Sequence, residues 1–346
     1  MKRFCLSVAA LSLIFSSQGD ACTRVLYETG NNTYLVGRNM DWSDTKMPSD
    51  FWIFPRGMAK DGGVGKGSIN WTSKYGSVII SIYNAATVDG MNEKGLVGNV
   101  LYLAESEYGN PQETSHPKLS LGAWLQYVLD NFETVDEAVK ALEKESFTIV
   151  TTVLPNGKAG DGHLSISDNS GDSAIFEYLD GKLKIHHGKQ YTVMTNSPPY
   201  DQQLAINQYW VPINGNNFLP GTISAADRFV RASFNLVSSP KYTDERAAIA
   251  SVFSQMRAVS VPLGMSDKDK PNIASTLWRS ILDGQIKRYY FDSVINPSVI
   301  WVDFDKVNFS AGQQPKTLAL NDPRNVGGEV SQQFKAAKPF KWLAPQ

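Results

Sequence analysis

Apolar and polar residues alternate along the first third of the chain, which is the spacing of β-strands that bury one face. The segments Thr23–Thr29 and Thr33–Asn39 flank Gly30-Asn31-Asn32, whose residue types favour a hairpin loop. Further strands of this kind are predicted at Phe51–Phe54, Ser77–Tyr83 and Leu96–Leu103. We expect a turn through Met91–Gly95 to join the last two strands, and a Gly-rich surface loop at Ala59–Ser68.

Helical spacing replaces this alternation in the middle of the chain. Leu119–Phe132 carries apolar residues at helical spacing, and Thr134 followed by Glu137 has the form of a capping box that opens a second helix. Two more helices are predicted at Ile223–Val237 and Asp244–Met256. The remaining strands are predicted at Phe147–Val153, His163–Ser167, Ala174–Tyr178, Leu183–His187, Tyr191–Met194, Ser275–Ile281, Lys287–Asp292 and Val299–Asp303.

The order of these elements predicts an α+β protein. Strands, paired helices, strands, helices and strands follow one another, which favours two antiparallel sheets with helices on their outer faces. Short Gly and Asn turns join many strand pairs, so a parallel βαβ arrangement is less favoured. With no internal repeat and no clear linker, we expect a single domain over residues 22–346.

The composition adds few candidates for a binding partner. Basic and acidic residues number 33 and 34, and no basic cluster marks a nucleic-acid surface. The chain has four histidines, and the adjacent pair His186 and His187 would point to opposite faces of a strand. We therefore expect no metal, no other cofactor and no nucleic acid.

The N-terminus has the three regions of a cleavable signal peptide. A basic start precedes the apolar run Phe4–Phe15, and small residues, Gly19 and Ala21, stand three and one positions before Cys22. We expect residues 1–21 to be removed by cleavage after Ala21, leaving a periplasmic or secreted protein. No later apolar run approaches the ~20 residues that span a bilayer, so no membrane attachment is expected after cleavage.

Two alternatives for this region stay open. Cleavage a residue or two away would leave Cys22 as an ordinary small buried residue. A lipoprotein cysteine, acylated on sulfur, is disfavoured because Gly19-Asp20-Ala21 carries a charge and no branched apolar residue.

Cleavage after Ala21 would place a thiol and a free α-amine on Cys22. An α-amine titrates near pH ~7.7–8.0 and a thiol near ~8.5, so the amine can take the thiol's proton. Nucleophile and general base would then belong to one residue. Cys5 is lost with the signal, so Cys22 would be the single, unpaired cysteine of an exported chain.

The second strand of the predicted hairpin brings two charged residues toward Cys22. Asp41 can accept a hydrogen bond from the α-amine, and Arg38 can orient Asp41 and favour the thiolate. The alternative is an ordinary Arg–Asp pair at a strand end, which is commoner in proteins at large.

Five motifs follow one another along the chain: Cys22-Thr23-Arg24, Arg38-Asn39-Met40-Asp41-Trp42, Asp89–Leu96, Thr195–Pro199 and Arg228-Phe229-Val230-Arg231. In this order they resemble the choloylglycine hydrolase family, N-terminal nucleophile hydrolases that include bile salt hydrolases and penicillin V acylases. The resemblance covers essentially everything from Cys22 onward. It implies a four-layer αββα sandwich and cofactor-free hydrolysis of linear amides.

The resemblance also implies roles for charged and nucleophilic residues. Cys22 is similar to the family's nucleophile, Asp41 to the residue that contacts its α-amine, and Arg38 to the arginine beside the thiol. Arg228 resembles a second active-site arginine. The alternative for Arg228 is a solvated arginine on an amphipathic helix. Arg231 is the other candidate on that face, and we interpret it as structural.

Two asparagines are implied as donors to the tetrahedral oxyanion. Asn196 resembles the asparagine whose side-chain amide donates, and Asn99 resembles the second donor, acting through its backbone N–H. The alternative for Asn196 is a residue that ends a strand before Pro198.

An apolar acyl pocket is expected from aromatic residues in segments that we place at the rim of the site: Trp42, Phe51, Trp52, Tyr83 and Tyr102. The same residues could equally be core. The segments Trp52–Gly57 and Trp71–Gly76, with the export signal, look more like penicillin V acylases of Gram-negative bacteria than intestinal bile salt hydrolases.

That likeness implies small-molecule amide substrates with an apolar or aromatic acyl group. We expect phenoxyacetyl-penicillin and N-acyl homoserine lactones to be better substrates than conjugated bile salts. The alternatives are a conjugated bile salt hydrolase and an exported binding protein that keeps the fold without turnover. A homotetramer is expected by resemblance.

Overall fold

A computed structural model describes residues 22–265, 274–296, 298–324 and 326–343. The predicted signal peptide, residues 1–21, lies outside the described residues. The strands are, in chain order, β1 (Thr23–Glu28), β2 (Tyr34–Trp42), β3 (Ser49–Phe54), β4 (Ala59–Asp61), β5 (Asn70–Thr72), β6 (Ser77–Ile82), β7 (Ala86–Asn92), β8 (Val97–Leu101), β9 (Lys118–Ser120), β10 (Thr148–Val150), β11 (His163–Ser167), β12 (Ser173–Leu179), β13 (Lys182–His187), β14 (Val193–Met194), β15 (Ser275–Asp283), β16 (Arg288–Ser293), β17 (Ile300–Asp303), β18 (Lys316–Ala319), β19 (Gly328–Glu329) and β20 (Lys335–Ala336). The helices are α1 (Leu121–Asn131), α2 (Val135–Leu142), α3 (Tyr200–Trp210), α4 (Ala225–Ser238) and α5 (Glu245–Ala258), with single turns of 3₁₀ helix at Val211–Ile213 and Phe304–Lys306.

Most of these strands belong to two large sheets. Within the described residues, one sheet has seven strands in the order β14-β1-β2-β15-β16-β17-β19. The other has nine in the order β13-β12-β11-β8-β7-β6-β3-β18-β20. Neighbouring strands are antiparallel in both sheets, apart from the parallel pair β17 and β19.

Helices cover the outer face of each sheet. α1 and α2 pack on the nine-stranded sheet, where Leu125 of α1 fills the space above Gly98. α4 and α5 pack on the seven-stranded sheet, and α3 packs against α4. A Cβ at Gly37 of β2 would come within 2.6 Å of Val252 in α5, so this close approach needs glycine. The layers run helix, sheet, sheet, helix, which confirms the predicted α+β αββα sandwich.

The predicted N-terminal hairpin is confirmed, and it carries the start of the described chain into the centre of the molecule. β1 pairs with β2 and sets Arg24 opposite Arg38. β15 pairs with the other edge of β2 and sets Thr276 opposite Asp41. Cys22 directly precedes β1, so it lies beside the end of β2 and between the two sheets.

The centre of the nine-stranded sheet differs from the prediction. β7 lies between β6 and β8, so the direct connection expected between those two strands is wrong. Asp89, Gly90 and Asn92 occupy buried positions in β7, which therefore lacks the apolar alternation that predicts a strand. The segment expected to be a loop at Ala59–Ser68 begins with β4, which pairs with β5.

The helix starts follow their capping residues. Thr134 accepts a hydrogen bond from the Glu137 N–H at 3.2 Å, as the predicted capping box requires. The Glu137 carboxylate reaches back to the Glu133 N–H at 2.9 Å. The predicted helices over 119–132, 223–237 and 244–256 correspond to α1, α4 and α5. α3 is absent from the prediction because its polar sequence has no apolar stripe.

Candidate active site

The Cys22 thiol lies in the layer between the two sheets and is 2% exposed. Its sulfur is 3.8 Å from Arg38 Nη2 and 3.7 Å from the Asp41 carbonyl oxygen. Burial raises the pKa of the Cys22 thiol, and the Arg38 guanidinium opposes that rise because a nearby cation favours the thiolate. The hairpin has thus placed a cation beside the only thiol of the described residues.

The backbone of Cys22 is held from both sides. Its nitrogen donates a hydrogen bond to Asn196 Oδ1. Its carbonyl oxygen accepts one from Arg228 Nη1 at 2.6 Å, and Arg228 Nη2 is 3.3 Å from the same Asn196 oxygen. Arg228 is therefore a buried residue with a defined contact at Cys22, and the solvated alternative for it is wrong.

Arg38 pairs with Asp89 and not with Asp41. Arg38 Nη1 is 3.3 Å from Asp89 Oδ2, and both side chains are fully buried. Hydrogen bonds from Tyr289 and from Ser280, the latter at 3.1 Å, also reach the Asp89 carboxylate. The expectation that Arg38 orients Asp41 is wrong, because the guanidinium points across the layer between the sheets to β7.

Asp41 has a buried carboxylate with one oxygen bound and one open. Oδ1 accepts a hydrogen bond from Thr276 Oγ1 at 2.5 Å. Oδ2 has no hydrogen-bond partner among the described residues and lies 3.8 Å from Arg228 Nη1. Burial raises the pKa of Asp41 to about 7, against the lowering effects of Arg228 and Thr276. The Cys22 nitrogen bonds to Asn196, so the predicted contact between Asp41 and that nitrogen is not made here.

Asn196 is fixed by its neighbours in sequence and in space. Its side-chain Nδ2 donates to the carbonyl oxygen of Tyr102 at 2.7 Å. The buried ring of His163 lies between Glu177, 2.9 Å from Nδ1, and the Thr195 carbonyl oxygen, 2.7 Å from Nε2. His163 and Glu177 thereby hold the peptide that leads into Asn196, a role that no local sequence pattern indicates.

The expected oxyanion role of Asn99 does not fit its position. Asn99 lies within β8, opposite Asp89 on one side and Ser165 on the other. Both edges of the strand are paired, so its backbone N–H points toward a neighbouring strand. Its side-chain Nδ2 donates to Asp89 Oδ2 at 2.8 Å. Tyr102, just beyond the end of β8, lies closer to the site through its contact with Asn196.

A cleft opens in front of the thiol. Cys22, Arg38, Trp42 and Tyr102 line it, together with apolar residues from β6, β7, β8 and α1. Two of the five aromatic residues predicted for the acyl pocket, Trp42 and Tyr102, are thus in place. This mostly apolar lining suits a small apolar group.

The other three predicted pocket residues do not line this cleft. Phe51 packs between the sheets, with its ring centre 5.0 Å from that of Tyr289. Trp52 follows it on β3, points to the opposite face and packs on Phe340. Tyr83 lies behind Trp42 and outside the cleft, and its hydroxyl accepts a hydrogen bond from Trp42 Nε1 at 2.9 Å.

Neither a metal site nor a membrane span is visible in the part of the chain that the structure describes. No three His, Cys, Asp or Glu side chains converge there in a way that could hold a metal ion. None of its helices combines the length and the apolar character needed to cross a bilayer.

Comparison with known proteins decides the family. The sequence profile of the linear amide C–N hydrolases, choloylglycine hydrolase family, matches residues 22–318. The chain belongs to the choloylglycine hydrolase family. It is an amidohydrolase that acts on carbon–nitrogen bonds of linear amides, as the motifs indicate.

Two relatives named penicillin V acylase have higher sequence identity to this chain than the bile salt hydrolases described below. The penicillin V acylase of Pectobacterium atrosepticum is 47% identical over 99% of this chain and 98% of its own. The penicillin V acylase structure from Agrobacterium tumefaciens is 50% identical, with a TM-score of 0.86 over 94% of this chain and all of that one.

Bile salt hydrolases of the choloylglycine hydrolase family are more distant. A bile salt hydrolase/transferase of Clostridium perfringens is 26% identical over 88% of this chain and 98% of its own. The structure of a mutant conjugated bile acid hydrolase from the same species is 24% identical, with a TM-score of 0.72, and shares the fold.

Proposed function

We propose that this family member is a penicillin V acylase-like enzyme in which Cys22, as the N-terminal residue, forms a thioester with the acyl group. The observation that carries the proposal is the placement of the Cys22 thiol at the cleft, beside Arg38, with its own backbone nitrogen bound by Asn196. The proposed nucleophile therefore contacts both a cation, Arg38, and an amide side chain, Asn196.

The α-amine of Cys22 serves as the general base. It takes the thiol proton, and sulfur attacks the acyl carbonyl carbon to form a tetrahedral intermediate with a negative oxygen. The C–N bond then breaks, and the ammonium gives its proton to the leaving nitrogen. Water attacks the thioester in the second half, with the amine taking its proton, and releases the carboxylic acid and the free thiol.

The open oxygen of Asp41 supports this role for the amine. A peptide nitrogen has one hydrogen, which Asn196 accepts. A free ammonium has three, so processing supplies further donors for Asp41 Oδ2, which is without a hydrogen-bond partner among the residues that the structure describes. Arg228, 3.8 Å from the same oxygen, favours the ionised carboxylate that such a contact needs.

Asn196 is the proposed donor to the oxyanion. Its amide is held by the Tyr102 carbonyl and by the segment that His163 fixes, so the donor is oriented before substrate binds. Loss of one preorganised donor of this kind typically costs about 10²–10³ in rate.

The proposed substrates are phenoxyacetyl-penicillin and N-acyl homoserine lactones, ahead of conjugated bile salts. Support comes from the mostly apolar cleft that Trp42 lines and from the 47% identity to a relative named penicillin V acylase. A conjugated bile salt hydrolase remains the second candidate, since the family includes such enzymes.

Export and assembly complete the proposal. The family match begins at residue 22, which is where cleavage after Ala21 would start the processed periplasmic or secreted chain. The proposed homotetramer rests on the family resemblance, and the apolar side chains exposed around α3 and α4, among them Tyr209 at 68% and Phe218 at 62%, are the proposed contact surface.

The test is an acyl-donor panel with the processed enzyme and its Cys22→Ala and Cys22→Ser variants. We expect release of 6-aminopenicillanic acid and homoserine lactone to exceed release of glycine from glycocholate. Both variants should lose at least ~10³-fold in rate. Activity of Cys22→Ala within a few-fold of the unmutated enzyme would refute the scheme, and a preference for glycocholate would overturn the substrate order. Binding of all three amides without turnover would indicate the binding-protein alternative.

A further inference from the structure

A segment close to the C-terminus crosses the outer face of the nine-stranded sheet and reaches the cleft. We name residues 337–343 the C-terminal strap. At its start, the Ala337 N–H donates to the Pro315 carbonyl oxygen at 3.0 Å. Phe340 then packs edge-on against Trp52, with ring centres 5.3 Å apart. Leu343, at the end of this strap, lines the cleft that contains Cys22.

Two hydrogen bonds fix Leu343 in this place. Its N–H donates to the Ala85 carbonyl oxygen at 2.8 Å, in the turn between β6 and β7. Its carbonyl oxygen accepts a hydrogen bond from Ser120 Oγ, the N-cap of α1. The strap thus bridges the two elements that supply Ala86 and Leu121 to the wall of the cleft.

Leu343 lies at the end of the cleft that is remote from the thiol. Near the thiol, the Val88 carbonyl oxygen accepts a hydrogen bond from Arg38, which also contacts the Cys22 sulfur. Ala86, the residue after the one that binds Leu343, begins β7 and comes two residues before Val88. Since a strand rises about 3.3 Å per residue, Ala86 and Val88 are about 7 Å apart, and the anchor of Leu343 in the turn lies beyond Ala86, which leaves room for a medium acyl chain or a phenoxyacetyl group.

We propose that Leu343 is a specificity-determining residue. The C-terminal strap closes the far end of the acyl cavity and limits the length of the acyl group that fits behind the scissile carbonyl. The inference rests on the proposed function, since it takes the cleft to hold the acyl group. Amides with longer acyl chains fit only if the C-terminal strap moves away from the cleft.

Substitutions of opposite size at Leu343 test this directly. Leu343→Ala lengthens the cavity, and each methylene that it newly buries raises affinity about fourfold. We expect the ratio of kcat/KM for dodecanoyl over hexanoyl homoserine lactone to rise about tenfold in Leu343→Ala. The same ratio falls in Leu343→Trp, while hexanoyl turnover changes little in both.

Three further variants test whether Leu343 limits the length of the acyl chain directly or only supports the fold. Leu343→Met keeps the volume and should keep the chain-length profile. Leu263→Ala, at a leucine that is 53% exposed and does not line the cleft, is the surface control. Phe340→Ala loosens the strap without touching the cleft, and it should shift the profile in the same direction as Leu343→Ala.

A binding measurement keeps this inference distinct from the proposed function. Hexanoic to dodecanoic acids are titrated into Cys22→Ala chains with Leu, Ala or Trp at position 343, with calorimetric detection. Failure of the chains that retain Cys22 to hydrolyse amides, with acid binding in the Cys22→Ala chains that still follows residue 343, would refute the proposed function and uphold the strap. Chain-length profiles that do not respond to residue 343, in both hydrolysis and binding, would overturn the strap.

Discussion

Arg38 connects the thiol of Cys22 to the opposite sheet. Its guanidinium is 3.8 Å from the sulfur, 3.3 Å from Asp89 and 4.7 Å from the centre of the Trp278 ring. Arg38 is fully buried, so its charge has a large effect on a neighbouring anion. Asp89 offsets its charge from the side away from Cys22.

This geometry predicts how Arg38 tunes the thiol. A nearby cation favours the thiolate, so loss of the charge in Arg38→Met should raise the pKa of Cys22 further above its ordinary value. Iodoacetamide alkylation of the processed chain, followed against pH, should reach half-maximal rate at a higher pH in Arg38→Met than in the unmutated enzyme.

Arg38→Lys is the matched control, because it keeps the charge and should keep the pH midpoint closer to that of the unmutated enzyme. An unchanged midpoint in Arg38→Met would contradict this assignment, as would an equal shift in both variants.

Sequence reasoning was sufficient for some of these residues because their positions follow from one hairpin. Cys22 directly precedes β1, and Arg38 and Asp41 lie on β2, with which β1 pairs, so proximity follows from the turn at Asn31-Asn32. Asp89 is different. It reaches Arg38 across the layer between two sheets, and no spacing along one chain segment reveals such a contact.

Helix α4 brings a distant part of the chain to Cys22. Ser224 caps the helix by accepting a hydrogen bond from the Asp227 N–H at 3.3 Å. Arg228 stands in the first turn, so the cap orients the guanidinium that binds the Cys22 carbonyl. The amphipathic pattern predicts this helix well, whereas the inward direction of Arg228 depends on how the helix packs on β1.

Removal of the cap should therefore affect both stability and catalysis. Ser224→Ala is expected to lower the free energy of unfolding by about 1 kcal/mol. It should also lower kcat/KM severalfold, because the first turn of α4 loosens around Arg228. Urea unfolding and steady-state kinetics measure the two effects.

Asp244→Ala provides the comparison at a second helix. Asp244 caps α5 through the Ala247 N–H at 2.8 Å, and Arg228 does not belong to this helix. We expect a similar loss of stability with kcat/KM nearly unchanged. Equal losses of kcat/KM in the two variants would show that the effect is not specific to α4.

Strand β7 was not predicted because its residues are polar where they bind residues of other elements. β7 carries polar residues that are buried because they serve other elements: Asp89 binds Arg38, and Asn92 donates to the carbonyls of Leu129 and Phe132 at the end of α1. A local pattern of apolar and polar residues cannot indicate such a strand. Long periodic helices such as α1 depend less on these contacts and are predicted well.

The whole sandwich gathers three separate regions of the chain at one cleft. The residue before β1, Cys22, and the C-terminal strap, through Leu343, line the cleft, and the segment before α3 supplies Asn196, which binds the Cys22 nitrogen. Fold class and family follow from element order and motifs, since both are properties of the entire chain. The strap was not predicted, because its place depends on aromatic contacts with Trp52 and not on its own pattern.

The central proposal is that the free α-amine of Cys22 is the base for its own thiol. The most direct measurement compares a chain that begins at Cys22 with one that begins at Ala21. Each is mixed with penicillin V, quenched in acid and analysed by intact mass. The account predicts a phenoxyacetyl adduct on Cys22 in the first chain and acylation at least ~10²-fold slower in the second, since a displaced amine cannot take the proton. Equal rates of acylation in the two chains would contradict it.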